Sequence, residues 1–159
     1  MEILDILILG SGPAALCLAS ELAKQNLNIK GISTKSPYEK WENTYGIWAS
    51  ELEEFGLASL LSHRWSKTVS YFGDGIKDKG NSPTKHYYDY GLINQEAFQN
   101  ELLKTCKGIQ WLNETAKLIK SENKISEVIC SSGLKLKARL VIDASGHKSK
   151  FIKRPFLKE

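Results

Sequence analysis

At 159 residues, 42% hydrophobic and 25% charged, the chain has the composition of an ordinary globular protein and enough length for one well-buried core. A formal charge of +4 spread over scattered lysines is too weak to argue for a nucleic-acid partner, and none is expected, yet it suits an anionic cofactor or contact with an anionic membrane surface. Cys17, Cys106 and Cys130 are widely spaced and form no CxxC or Cys/His pattern, so they read as reduced thiols of a cytoplasmic protein, and His63, His86 and His147 share no metal-ligand spacing.

The first element is an apolar run, Ile3 to Leu9, too short to span a bilayer and carrying acids at Glu2 and Asp5 that a secretory signal would lack. It leads into Gly10-Ser11-Gly12-Pro13-Ala14-Ala15, then a stripe of Ala14, Ala15, Leu18, Ala19, Leu22 and Ala23 at helical spacing, then a second apolar run from Leu27 to Ile32. That order is strand, glycine turn, helix, strand. Gly10 permits the sharp exit from the strand, Gly12 lets a diphosphate approach the backbone, and Ala15 takes a position that need only be small. Pro13 at the first helical position forfeits nothing, because its missing N–H would have no partner there. The helix is expected from Pro13 to Lys24, closed by a left-handed Asn26.

The end of the second strand is where a dinucleotide fold places an acid for a ribose 2′-hydroxyl. Ser33 stands there, followed by Thr34 and Lys35. A hydroxyl still bonds ribose, and Ser-Thr-Lys equally suits a 2′-phosphate, so an NADP-type site stays open. Ser36 to Ser50, with two tryptophans and two tyrosines around Asn43 and Gly46, reads as a loop. Its aromatics suit two roles, covering the core or flanking a flat ring system or apolar ligand.

Glu51 to Ser62 suggests a short helix re-aimed at Gly56, followed by a strand at Arg64–Tyr71, a turn at Gly73-Asp74-Gly75, a solvated loop at Lys77–Lys85 and a returning strand at His86–Tyr90. Asn94 can cap a helix from Gln95 to Cys106, buried through Phe98, Leu102 and Leu103 and ended by Gly108. Ile109–Leu112 is a short strand. Ala116–Ile119, Ile125–Cys130 and Leu134–Leu136 form a meander with turns at Glu122-Asn123 and Ser132-Gly133, and Ala138–Ile142 is a parallel strand buried on both faces. The turn Asp143-Ala144-Ser145-Gly146 at its end lies on the same sheet edge as Gly10, where open α/β sheets bind ligands. Two glycine turns on one edge make a groove for an extended dinucleotide. Lys148, Lys150, Lys153 and Arg154 read as a solvated tail.

Together, GSGPAALCLASELA, WENTYGIW, YGLINQEAFQNELL and ARLVIDASGHKS resemble, in that order, the N-terminal part of lycopene cyclases. The first and last segments are shared with many FAD enzymes, whereas Asn43-Thr44-Tyr45-Gly46-Ile47-Trp48 points to lycopene cyclases in particular. The resemblance implies an α/β, Rossmann-like FAD-binding fold of the glutathione-reductase and hydroxylase-like superfamily, with an antiparallel strand insertion and incomplete relative to the family. It implies one FAD/NAD(P)-binding domain over 1–159, built from 1–50 and 90–159 with a partial substrate or cap region at about 51–90. FAD would lie with its diphosphate at Gly10–Ala15 and its flavin side held with help from Asp143, Ala144 and Gly146. The backbone near Leu118 would approach the adenine, and Asn43, Tyr45, Gly46 and Trp48 would lie between flavin and carotenoid.

The implied activity is redox-neutral ring closure at the end of a linear, lycopene-like polyene. A carboxylic acid protonates the polyene, and reduced FAD, with NAD(P)H as reductant, stabilises the cation. The sequence departs from the family at Ser33, and at Leu92 and Asn94 where Arg and Asp are common after Tyr90-Gly91. The acidic motif credited with proton donation falls in the region of longer members that follows the matched part, so no catalytic residue is assigned and a partner chain supplying that half is one expectation. Peripheral contact with a membrane is another. The competing readings are a different FAD-dependent oxidoreductase, such as a monooxygenase or polyene reductase, and a non-catalytic nucleotide-binding module.

Overall fold

A computed structural model describes residues 2–71, 83–147 and 149–152. In chain order the elements are β1 (Ile3–Leu9), α1 (Pro13–Leu22), β2 (Ile29–Ser33), β3 (Gly46–Trp48), α2 (Ala49–Glu54), a 3-10 turn at Ala58–Leu60, β4 (Leu61–Trp65), β5 (Val69–Ser70), β6 (Thr84–Lys85) and β7 (Tyr90–Ile93). There follow α3 (Gln95–Thr105), a second 3-10 turn at Cys106–Gly108, β8 (Gln110–Asn113), β9 (Ala116–Glu122), β10 (Ile125–Cys130) and β11 (Lys135–Asp143). Two units result, Met1–Glu39 with Gln99–Glu159, and Lys40–Phe98. The second is wider at both ends than the insertion expected at 51–90, because β3 pairs with β7 and belongs to the same sheet.

The first unit is built on a six-stranded sheet in the order β8-β2-β1-β11-β10-β9. Neighbours from β8 to β11 run parallel, and β11, β10 and β9 are antiparallel. Parallel strands need cover on both faces, and β1 has it. Ile6 and Ile8 pack with Ala15 and Ala19 of α1, Ile29 and Cys106. Leu4, Leu7 and Leu9 pack with Ile32, Val128, Cys130 and Ala138 on the meander side. Alanines on α1 allow this close approach: Ala15 and Ala19 are completely buried.

Several boundaries differ from those expected. The helix stops at Leu22 and is closed by Lys24 N–H donating to Glu21 O and Gln25 N–H to Leu22 O. Asn26 does not adopt positive φ, so no left-handed cap forms there. The second strand begins at Ile29, after the exposed Leu27. The strands expected at Leu134–Leu136 and Ala138–Ile142 are one strand, β11, which starts at Lys135, since Lys137 stays within the ladder and meets Glu127 across it at 4.0 Å. Nor is β11 buried on both faces: α1 packs over β1, and Leu140, in register with Ile6, lies outside that cover at 51% exposure. The hairpin between β9 and β10 turns at Asn123-Lys124, one residue later than expected, both with positive φ.

In the second unit β3, β7 and β4 form an antiparallel sheet, and β5 and β6 a two-stranded ribbon. The expected loop at Asn43–Trp48 is therefore partly a strand, Gly46–Trp48 pairing with Tyr90–Leu92. The expected helix from Glu51 to Ser62 ends at Glu54, where Gly56 turns the chain at φ +69°, and Leu61 and Ser62 begin β4. Lys67, at φ 60°, splits the expected Arg64–Tyr71 strand into β4 and β5. His86–Asp89 bends between β6 and β7 rather than forming a strand. Asn94 does cap α3, its Oδ1 accepting from Ala97 N–H at 3.1 Å. The turn at Gly73-Asp74-Gly75, most of the loop at Lys77–Lys85, and Lys148, Lys153 and Arg154 lie outside the described residues.

Leu7 is fully buried in the cluster it shares with Leu4, Leu9, Ile32 and Val128. Leu7→Ala should destabilise the chain by about 3 kcal/mol, read as a lowered urea midpoint.

Candidate functional site

The rim at the C-terminal ends of β1 and β11 is formed by two turns in direct contact. Register places Leu9 beside Asp143, Ala144 N–H donates to Leu9 O at 2.9 Å, and Gly10 N–H donates to Ile32 O at 2.8 Å. Gly10 has φ +104°, and a Cβ there would sit 2.5 Å from Ala144 O, so the turns meet only because the position carries no side chain. Above Gly12, the residue preceding α1, no atom of the described residues beyond its chain neighbours lies within 4 Å of where a Cβ would stand, and the same holds at Gly146. The rim is thus closed beneath and open above.

Helix α1 enters this rim with Pro13 first and no side chain capping its N-terminal end. Helix geometry leaves the amides of Ala14 and Ala15 without intrahelical acceptors, at the positive end of the helix dipole. An anion is the natural complement. The Ser11 hydroxyl ties the turn to the end of β2, donating to Lys35 O at 3.0 Å and standing 2.9 Å from Ser33 Oγ, which also accepts from Lys35 N–H at 3.2 Å. Ser33 is therefore already engaged, and Thr34 beside it is exposed.

Asp143 is fixed by its own turn. Burial works against its charge, but the side chains of Ser145 and Ser149 and the Ser145 N–H all donate to the carboxylate and together hold its pKa below the ordinary 3.8. This accounts for a buried-edge acid at the end of an apolar strand without any ligand. Sequence reasoning missed Ser149, although a serine six residues beyond an aspartate in a glycine turn was the available signal.

The remaining expected residues fall elsewhere. Leu118 is on β9, partly exposed and not among the residues lining the cavity described below. Asn43, Tyr45, Gly46 and Trp48 belong to the second unit. There Trp41 is buried, edge-on to Tyr45 and Phe98, which is the core-covering role. Trp48 instead joins a ring cluster, with centroids 5.1 Å from His86, 5.5 Å from Tyr90 and 6.3 Å from the exposed Tyr88. Asn43 O accepts from the Gln95 side chain and Tyr45 O from Ile93 N–H, so both serve to position the strand.

A cavity of about 290 Å³ opens beside the ends of β2 and β8, lined by Ser33–Glu39 and by Ile109 and Trp111–Asn113. Among the described residues no cluster of His, Cys, Asp and Glu could hold a metal ion, and no helix is long and apolar enough to cross a membrane. The three cysteines are free, and burial raises each thiol above its ordinary pKa, which makes them weak nucleophiles.

Two outcomes test this geometry. Gly10→Ala should lower stability by about 2 kcal/mol or more, since it adds left-handed strain to a backbone clash, and a urea titration reads it. Because the folded-state pKa of Asp143 lies below its unfolded value, the carboxylate stabilises the fold above pH 3.8 and that contribution fades as pH falls through the folded-state pKa. Asp143→Asn should accordingly cost about 1–2 kcal/mol at neutral pH and nothing measurable in strong acid, read by unfolding both proteins at the two pH values.

Comparison with known proteins is consistent with the rim. Residues 5–157 match the family described as Lycopene cyclase protein. A lycopene beta cyclase of Synechococcus elongatus is 44% identical over 95% of this chain and 36% of its own length. The chloroplastic lycopene beta cyclase of Arabidopsis thaliana is 31% identical over 91% of this chain and 28% of its own, and a neoxanthin synthase of Solanum lycopersicum 33% identical over 93% and 29%. The chain thus spans about a third of the length of these relatives. Among solved structures, p-nitrophenol 4-monooxygenase PnpA from Pseudomonas putida superposes with a TM-score of 0.63 at 19% identity, covering 94% of this chain and 43% of that one. A mutant of the halogenase PltM in complex with FAD gives 0.62 at 16%, covering 90% and 34%. The fold is accordingly the Rossmann-like α/β fold shared, in part, with this monooxygenase and this halogenase, and the chain belongs to the lycopene cyclase family.

Proposed function

We propose that this chain is the FAD-binding part of a lycopene-cyclase-like protein of carotenoid biosynthesis. The observation that carries the cofactor is the rim itself: two turns locked together at Gly10 and Ala144, with open space above Gly12 and Gly146 and an uncapped helix end beside them. FAD fits these residues. Its diphosphate would meet the amides of Ala14 and Ala15 across Gly12, and Asp143–Gly146 would support the flavin side. When bound and reduced, FAD supplies electron density that stabilises a cationic polyene, with NAD(P)H as its reductant.

The residues present bind and orient; none is assigned the proton that starts ring closure. That acid is placed in polypeptide beyond the matched stretch, on the same longer protein or a partner chain. The exposed rings beside Trp48, chiefly Tyr88 and Tyr90, suit an apolar conjugated substrate whose end becomes cationic, because an aromatic face attracts positive charge. Contact with a membrane surface follows from the solubility of such a substrate.

Expression in cells that accumulate lycopene, alone and together with the region its relatives carry beyond this stretch, tests the reading. Visible flavin absorbance and cyclic carotenoids from the pair support it; sustained NAD(P)H consumption without rings would make the protein an oxidoreductase instead. Gly12→Ala should leave the unfolding free energy from urea titration within about 0.5 kcal/mol of wild type, since beyond its chain neighbours its Cβ meets nothing among the described residues. The same change should sharply weaken FAD binding, read by flavin fluorescence.

A further inference from the structure

We infer that Glu39 carries the carboxylate that the end of β2 lacks, making the cavity beside β2 and β8 a site for an adenosine without a 2′-phosphate. The inference rests on the FAD reading and deepens it. The cavity lies within the first unit, next to Ser33, where a ribose hydroxyl needs an acceptor. Ser33 is turned to Ser11 and Lys35 N–H, so its hydroxyl is committed to the protein. Glu39 is the acid among the residues lining that cavity.

The wall bearing Glu39 is built rather than loose. Gln99, only 6% exposed, donates both amide hydrogens back into the loop, to Pro37 O at 2.7 Å and Glu39 O at 2.8 Å. Ser36 N–H donates to Glu39 Oε1 at 2.8 Å, and Glu39 N–H returns to Ser36 O at 3.0 Å. One carboxylate oxygen is thereby anchored, which leaves the other as an acceptor for a ribose hydroxyl or the adenine amine. Tyr38, 68% exposed on the same wall, offers a flat face to a purine. At about 290 Å³ the cavity is near the lower end of small-ligand pockets, roughly 300–1,000 Å³, and suits one end of a dinucleotide rather than all of it.

Charge then decides between cofactors. Lys35 alone would favour a 2′-phosphate, as Ser-Thr-Lys suggests in the sequence. With Glu39 lining the same cavity, a phosphate would face a like charge there.

The test compares 5′-AMP with adenosine 2′,5′-bisphosphate, two ligands that differ only in the 2′-phosphate, as competitors for FAD on the full chain. Wild type should prefer AMP by about tenfold or more. Glu39→Gln keeps an Oε1 acceptor for Ser36 N–H and replaces the other oxygen, with its charge, by an amide donor. It should weaken FAD about tenfold, as loss of a charge-assisted hydrogen bond does, and bring the two competitors to near equality. A merely structural Glu39 would leave the preference unchanged, and that result overturns the inference while FAD binding stands. If wild type bound neither FAD nor AMP, the cofactor reading would fall, and this inference with it.

Discussion

Everything at the rim depends on the absence of one side chain. Because Gly10 can take φ +104° and lie against Ala144 O, the chain leaves β1 sideways, α1 starts directly over the sheet, and the turn after β11 closes the rim from the other side. A larger residue would push apart two parallel strands paired from Ile3 with Lys137 to Leu9 with Asp143. Such a separation would remove the hydrogen bond from Ala144 N–H to Leu9 O and would free the amides of α1 from any defined position. The position of the uncapped helix end is therefore a property of strand pairing as much as of the helix.

The parallel core was readable because its signals agree at every level. Predominantly apolar strands at Ile3–Leu9 and Leu140–Ile142, alanines at helical spacing and two glycine turns all specify one arrangement, and burial of both faces of β1 follows. Legibility fell where long-range pairing overrides local composition. Gly46–Trp48 has the residues of a loop and becomes a strand only because Tyr90–Leu92 lies beside it. Leu61 and Ser62 continue a helical pattern but are drawn into β4 by the same central strand β7. At Lys137 a charge mimics a strand break, and only the facing Glu127 explains its place.

The site followed the same division. The positions Gly10, Gly12, Pro13, Ala15 and Gly146 were legible as turns and a helix start because the fingerprint is local. Residues that act through side chains reaching across sequence were not. Gln99 looked like one more polar residue on an amphipathic helix, whereas it is buried and holds a loop 60 or more positions away. Glu39 sat in a stretch noticed for its aromatics. The missing acid at Ser33 was visible as a gap, and what stands near the gap required coordinates.

Strand β11 belongs at once to the meander and to the rim, pairing with β10 through its first residues and with β1 through its last. A ribosome therefore releases β1 and β2 long before the strand that completes their sheet exists, and the nascent chain must hold β1 with one edge bare until Asp143 emerges. So non-local a closure makes for slow folding and exposes a sticky intermediate. Late closure during synthesis is thus built into the way this rim is assembled.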